Sequence, residues 1–297
     1  MNPTRKAYFQ LHTSVFLWGF TAILGKLITL SELPLVWYRV LFTCIALFFI
    51  PGVLKQVKNT PRKEILKLAV IGCLVCTHWV CFYGAIKYSD VSIALCCLAT
   101  TSFMISIIEP AINRTKVKWY ELSLGLLIIP GVIIIVHISR LYVTGIILGL
   151  MAAFFAATFT VLNKKVIHLH HPQGMTFIEL FSGFILLSIV LPFYLHFYPG
   201  NGMHPAPNDW IYLLILSLGC TTLPFVLALH ALKHLSAFAS TLMVNLEPVY
   251  GIVLAIPIFH ENKDLGIMFY VGTGIILAAV FLHPLLNRRF GMEKVID

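Results

Sequence analysis

The sequence predicts an all-α integral membrane protein, with ten transmembrane helices arranged as two inverted five-helix repeats and both termini in the cytoplasm. Three observations carry this. Of 297 residues, 59% are hydrophobic and only 11% charged, against about 25% charged in a soluble domain, and the mean hydropathy is +0.90. The apolar residues gather in ten runs, each near the ~20 residues that a helix needs to cross about 30 Å of hydrocarbon. The second half of the chain also repeats features of the first.

The runs cover 7–30, 34–54, 64–87, 91–112, 118–137, 143–165, 174–197, 209–233, 236–259 and 264–287. They consume nearly the whole chain and leave no loop long enough to fold a domain outside the membrane. The first follows Arg5-Lys6 as a signal peptide would, but it is long and lacks a small-x-small cleavage site before Lys26, so it reads as a retained span. The third contains "GCLVCTHWVCFYG", whose Cys73, Cys76, His78 and Cys81 fan around more than half a helix at about 100° per residue. They cannot converge on one tetrahedral metal. No metal or other cofactor is expected, and the seven cysteines, all inside predicted helices, act as small hydrophobes. The sixth run carries Gly145, Gly149, Ala153 and Ala157 at four-residue steps, a stripe on which another helix can pack closely.

The net charge of +9 is explained by topology rather than by nucleic acid. With the N-terminus inside, sixteen Lys and Arg residues fall on cytoplasmic segments, among them Lys55, Lys58, Arg62, Lys63, Arg114, Lys116, Lys164, Lys165, Arg288 and Arg289. Only Lys87, Arg140 and Lys263 fall outside. This is a strong positive-inside bias, and the partner it implies is the anionic leaflet of a lipid bilayer.

"YGAIKYSDVSIAL" (83–95) matches "HALKHLSAFASTL" (230–242) at an offset of 146; upstream, Lys26 falls on Lys164 at 138 and Arg39 on Glu179 at 140. One insertion, the loop "YPGNGMHPAPND" (198–209), accounts for the change of offset. The chain thus reads as a single transmembrane domain, 1–297, with repeat one over 7–137 and repeat two over 143–287. Five spans is an odd number, so the second repeat must enter the membrane from the opposite side. That symmetry is typical of secondary transporters with a midplane site and alternating access.

These features resemble the drug/metabolite transporter superfamily, and within it the EamA-type ten-helix transporters. The likeness rests on Trp18-Gly19, Arg39, the Ala-Leu-Lys-like ends of the third and eighth runs, and "NLEPVYG" (245–251) in the ninth. It implies an exporter of small metabolites or amino acids, often proton-linked, with a cavity lined mainly by helices 1, 3, 4, 6, 8 and 9. The fourth run departs from the ninth, carrying Thr101-Ser102 where the ninth has Glu247-Pro248.

The candidate site follows from the polar residues inside the spans. Glu247 and Pro248 fall near the middle of the ninth run. The proline should bend that helix and free a carbonyl, and a glutamate at this depth is costly enough to suggest a substrate or proton role, or a hydrogen bond that fixes the kink. His78 is either a second proton-handling group or a packing residue. Pro224 occupies its repeat position, and matched interruptions point to a binding site. Thr101, Ser102, Thr221, Thr222, Asn245 and Tyr250 can supply hydrogen bonds there, and Trp18, Trp79 and Tyr83 apolar walls, although ordinary packing between helices would use the same residues. Lys26 and Arg39 toward the outer face, with Lys164 and Glu179 toward the inner, are candidate gate charges; snorkelling to the headgroups is the alternative.

The sequence therefore points to a secondary transporter moving a small organic solute, not to an enzyme. An intramembrane enzyme using His78 and Glu247 would lack a nucleophile, and a channel or scaffold has no need of the repeat. Few intramembrane cations favour zwitterions and neutral metabolites over multiply charged anions. Short loops and the absence of an outward-facing glycosylation sequon suggest a bacterial inner membrane.

Overall fold

In a computed structural model the chain is described over residues 3–89, 91–135, 142–198, 200 and 202–259, with isolated helical positions between 267 and 286. The described residues are helices and short connections. Helix α1 (Pro3–Leu27) leads to α2 (Glu32–Phe48), which stops short of the expected 54 because Pro51 and Gly52 interrupt it. Gly52 takes a left-handed φ of 90° and starts the short α3 (Val53–Lys58). There follow α4 (Arg62–Tyr88), α5 (Val91–Ala99), α6 (Thr101–Asn113), α7 (Trp119–Ile135), α8 (Val143–Val166) and α9 (Pro172–Phe197). Next come α10 (Asp209–Leu214), a π-helical segment (Ile215–Thr222), α11 (Leu223–Leu232), α12 (Ala237–Val244) and α13 (Glu247–Phe259). Most of the tenth expected span lies outside the described residues.

Among the described residues, five stretches are long and apolar enough to cross a membrane, namely Arg62–Tyr88, Ile93–Asn113, Val143–Leu169, Pro172–Phe197 and Asp209–Leu232. Large apolar side chains such as Phe9, Phe49, Leu66, Ile189, Phe193 and Phe197 stay on the outside, where lipid rather than water would meet them.

The expected fourth and ninth spans are each broken, and at matched places. The ninth is interrupted at Asn245-Leu246, so Glu247 and Pro248 open α13 instead of kinking a continuous helix. Proline is tolerated in a first turn, where its missing N–H would have no partner anyway. The fourth breaks at Thr100, which is position 246 less the repeat offset of 146, and it does so without proline. There three consecutive hydroxyls, of Thr100, Thr101 and Ser102, donate back to the carbonyls of Cys97, Leu98 and Ala99. Such back-bonds compete with the helical ladder. The eighth span meets Pro224 by a different device: the π-helical segment just before it, where Thr221 and Thr222 donate to carbonyls five residues back.

Contacts between element ends sort the bundle into two faces. At one, Lys164 at the end of α8 binds the carbonyls of Leu232 and Leu235 beyond α11, Lys165 reaches Ile112 near the end of α6, and Gln56 of α3 meets Gly174 at the start of α9. This is the basic face. At the other, the α1–α2 connection meets Asp209 at the start of α10, Tyr194 near the end of α9 and Lys87 near the end of α4.

The core is built from close crossings between the two halves of the chain. A Cβ on Gly72 would sit 1.8 Å from the Glu179 carbonyl oxygen, and one on Gly183 2.1 Å from Cys76 Sγ, so α4 and α9 touch nearly backbone to backbone. The same holds where Gly149 of α8 meets Cys97 of α5 at 2.6 Å. The small-residue stripe on α8 thus packs as its spacing suggests.

Gly72→Leu should be strongly destabilising, because overpacking a tight crossing costs about 1–3 kcal/mol or more. Gly219→Ala, where nothing lies within 4 Å of the new Cβ, should stay within about 1 kcal/mol of wild type. Thermal unfolding of the purified variants in one detergent measures the contrast; equal effects would refute the crossing.

Candidate functional site

A cavity of about 130 Å³ lies between the two halves, bounded by α1, α2, α4, α5, the start of α6, α8, α11, α12 and the first residue of α13. A single water needs roughly 10–15 Å³ on the same measure of room for water centres, so the space suits a small solute or a cluster of waters. Its depth holds Trp18, Thr21, Arg39, His78, Trp79, Thr101, Asn245 and Glu247; toward the basic face it runs past Thr160, Asn163, Ala228 and Leu232. Phe82, Phe159, Phe225 and Leu98 make the apolar walls.

Arg39 is the dominant feature. It is only 2% exposed and has three neutral partners. Nε donates to Thr221 Oγ1 at 2.7 Å, Nη1 donates to the Tyr83 hydroxyl at 2.9 Å, and Cζ lies 4.0 Å from the centre of the Trp79 ring. The π-helical segment is what brings Thr221 to this place. A guanidinium on an aromatic face gains about 0.5–2 kcal/mol, and the two hydrogen bonds orient it, but among the described residues its charge has no directly bonded carboxylate.

Glu247 shares the cavity and is buried. Thr21 Oγ1, at 3.5 Å from Oε1, is its one hydrogen-bond donor among the described residues. Standing in the first turn of α13, the carboxylate also benefits from the positive end of that helix. Beside it Asn245 Nδ2 donates to Ser102 Oγ at 3.1 Å, tying together the two helix breaks. His78 Nδ1 lies 2.8 Å from the Ala152 carbonyl; it can bond that oxygen only as a donor, which leaves Nε2 as an acceptor. The ring stacks on Phe82 and meets Phe159 edge-on.

Of the residues singled out in the sequence, Trp18, His78, Trp79, Thr101, Asn245 and Glu247 line one cavity. Tyr83 and Ser102 act just behind its wall, through Arg39 and Asn245. Others fall elsewhere. Thr222 turns its hydroxyl to the Ser217 carbonyl, Tyr250 pairs with His12 Nε2 at 2.9 Å, and the cavity wall beside Pro224 is made by Phe225. Among the candidate gate charges, Lys26 is exposed, Lys164 caps the end of α11, and Glu179 is buried beside Asn163. Arg39 stands in the cavity wall instead of at an outer gate. It need not snorkel, because Thr221, Tyr83 and Trp79 give it partners at depth.

Sequence reasoning missed Thr21 and Asn163, placed Thr221 near Pro224 without its partner Arg39, and missed the seal at the face opposite the basic one. There the Asp209 carboxylate accepts from Thr29 N at 3.1 Å and Thr29 Oγ1 at 2.6 Å, and Tyr194 donates to Glu32 at 2.8 Å. Lys87 Nζ donates to the Ile28 carbonyl there too. An acidic residue directly after the Pro/Gly-rich loop was the available signal for Asp209. Among the described residues no three His, Cys, Asp or Glu side chains are placed to hold a metal ion.

Comparison with known proteins agrees with this arrangement. The model of the EamA-like transporter family matches twice, over residues 5–137 and 143–283. The uncharacterized transporter YxxF of Bacillus subtilis (strain 168) is 25% identical over 297 residues, covering 97% of this chain and 92% of the relative. An uncharacterized transporter of Archaeoglobus fulgidus is 24% identical over 271 residues, covering 91% and 93%. One solved crystal structure superimposes with a TM-score of 0.75 at 14% identity over 95% of this chain and 99% of that one, a likeness of fold.

Tyr83→Phe removes the acceptor of Arg39 Nη1 inside the bundle and should cost about 1–3 kcal/mol, the range for stranding a buried donor. Tyr250→Phe, at an exposed pair, should cost less than about 1 kcal/mol. Denaturation of both variants in mixed micelles compares the two; a Tyr83→Phe protein as stable as wild type would contradict the anchoring of Arg39 by that hydroxyl.

Proposed function

Because the chain belongs to the EamA-like transporter family, we propose that it is a secondary active transporter that exports zwitterionic metabolites, amino acids above all, by alternating access coupled to protons. The observation that carries this is the pair of opposite charges in one cavity. Arg39 and Glu247 both face it without a direct bond to each other. A guanidinium matches a substrate carboxylate, Glu247 matches an ammonium group, and the Phe82, Phe159, Phe225 and Trp79 walls take an apolar side chain.

The ten-span inverted repeat, divided into 7–137 and 143–287, supplies the moving parts. It is supported by the double family match, by the helix breaks at matched positions, and by the directions of the elements. The N-terminus of α1 lies at the basic face, whereas α8 ends there. Likewise α4 starts at that face and α11 ends there. Cross-half packing also exchanges symmetrically, with α1 on the eighth span and α13 mirrored by α8 on α4, α5 and α6. Placing the basic face in the cytoplasm follows from the positive-inside rule. The cavity then reaches toward the cytoplasm, while the Thr29–Asp209 and Glu32–Tyr194 contacts seal the outside, as expected for a state that loads from within.

Glu247 serves the substrate ammonium on one limb of the cycle and a proton on the other, and His78 Nε2 is a second acceptor on the same cavity. In liposomes with an acidic interior, the wild type should accumulate radiolabelled phenylalanine or leucine as protons leave. Glu247→Gln should reduce that uptake at least about tenfold, the effect of losing ~1.4 kcal/mol of interaction. Undiminished gradient-driven uptake by the variant, or none by the wild type, would overturn the assignment.

A further inference from the structure

We propose that Glu179 of α9 is a second protonation site, separate from the substrate cavity, whose protonation state decides whether the two halves of the bundle stay closed at the α4–α9 crossing. This deepens the proton-coupled reading above and rests on it.

The site stands on geometry. Glu179 is 0% exposed, and among the described residues neither carboxylate oxygen has a well-formed hydrogen bond. Asn163 of α8 faces it, and among the described residues Asn163 Oδ1 is likewise buried without a partner. Asn163 also lines the cavity. Glu179 thus stands one side chain removed from the cavity, and its two carboxylate oxygens and Asn163 Oδ1 are buried polar atoms without a well-formed hydrogen bond among the described residues. An ionised carboxylate so placed would lack both water and a bonded cation. A protonated one can donate to Asn163 Oδ1 and satisfy two of the orphaned atoms at once. Sodium would require about five or six oxygen ligands, following the pattern of hard cations, and the site offers three.

Other titratable and charged groups stand on every neighbouring element. Helix α4 presents Cys73 and Cys76, α2 presents Cys44 and, nearer the cavity, Arg39. Helix α8 carries Lys164, whose ammonium is held by the Leu232 and Leu235 carbonyls; α3 carries Lys55 and Lys58, and α11 carries His230. Arg39 is already committed to Thr221, Tyr83 and Trp79.

The position explains what the proton would control. The backbone of Glu179 is the part of α9 against which Gly72 of α4 packs. Those helices belong to different halves, so any rocking of one half on the other changes the surroundings of this carboxyl. With the proton on, the crossing stays dry and closed. Once the proton leaves through Asn163 to the cavity, the charge favours a conformation that lets water reach it. Each cycle then moves a proton at the crossing in addition to whatever exchanges at Glu247.

Infrared titration of the protein in lipid, from acid to alkaline pH, reads the site without any substrate. A protonated-carboxyl band should vanish in Glu179→Gln, persist in Glu247→Gln and titrate at a different pH in Asn163→Ala. In parallel, spin labels on Tyr88→Cys and Phe197→Cys, exposed near the far ends of α4 and α9, should move apart as pH rises. Adding Glu179→Gln, which imitates the protonated form, should hold them at the low-pH distance. A band unchanged in Glu179→Gln, or a pH-driven distance change that survives it, overturns the proposal. Neither outcome bears on the flux assay, so loss of this site and loss of the transport reading are told apart.

Discussion

A guanidinium inside a membrane bundle, with no carboxylate among the described residues bonded to it, is the constraint on which the rest of this structure turns. An ionised side chain near the middle of a bilayer costs a few kcal/mol even on the mildest scales. Thr221, Tyr83 and the face of Trp79 offset part of that for Arg39; water or a bound anion in the cavity must supply the remainder. The bundle therefore cannot close around Arg39 as tightly as it does at the glycine crossings of α4 with α9 and of α8 with α5. A cavity persists there, and Glu247 faces it.

The helix breaks follow from the same need. A continuous helix satisfies its own backbone and presents only side chains, whereas an interrupted one also exposes helix ends and polar caps. Here the two halves reach the same break by different chemistry: a run of three hydroxyls over 100–102, and a proline at 248 held in a first turn. Asn245 and Ser102 join the two breaks across the cavity. On the far side, the short connection after α1 is closed by Asp209, Tyr194 and Lys87, residues from three other helices. Opening that face breaks a handful of polar contacts together with the packing of Ile28, Leu30 and Leu33 beside them, an interface of discrete contacts of the kind that can exist in two states.

Much of this was legible in the sequence because the bilayer imposes it. The apolar runs reflect length and hydropathy, which a linear string carries; the lysine and arginine asymmetry and the repeat offset are what the proposed topology rests on. Six of the residues marked for the site, including His78, Trp79 and Glu247, do line one cavity. Arg39 was visible as a candidate outer gate charge but not its address, since which way a helix face points depends on partners such as Thr221, 182 positions away. The break at Thr100 was hidden because serine and threonine hydroxyls disrupt a helix only by competition, with no signal as sharp as a proline. The π-helical stretch before Pro224 likewise has no local signature; the sequence showed the proline and not the way the backbone absorbs it.

Calorimetric titration of the purified protein with phenylalanine, phenethylamine and 3-phenylpropionate addresses the charge pair itself. If Arg39 and Glu247 each grip one pole of the ligand, removing either the carboxylate or the ammonium should weaken binding by at least about tenfold, some 1.4 kcal/mol. If either truncated compound binds as tightly as phenylalanine, the two buried charges do not recognise a zwitterion, and the cavity is not an amino-acid site.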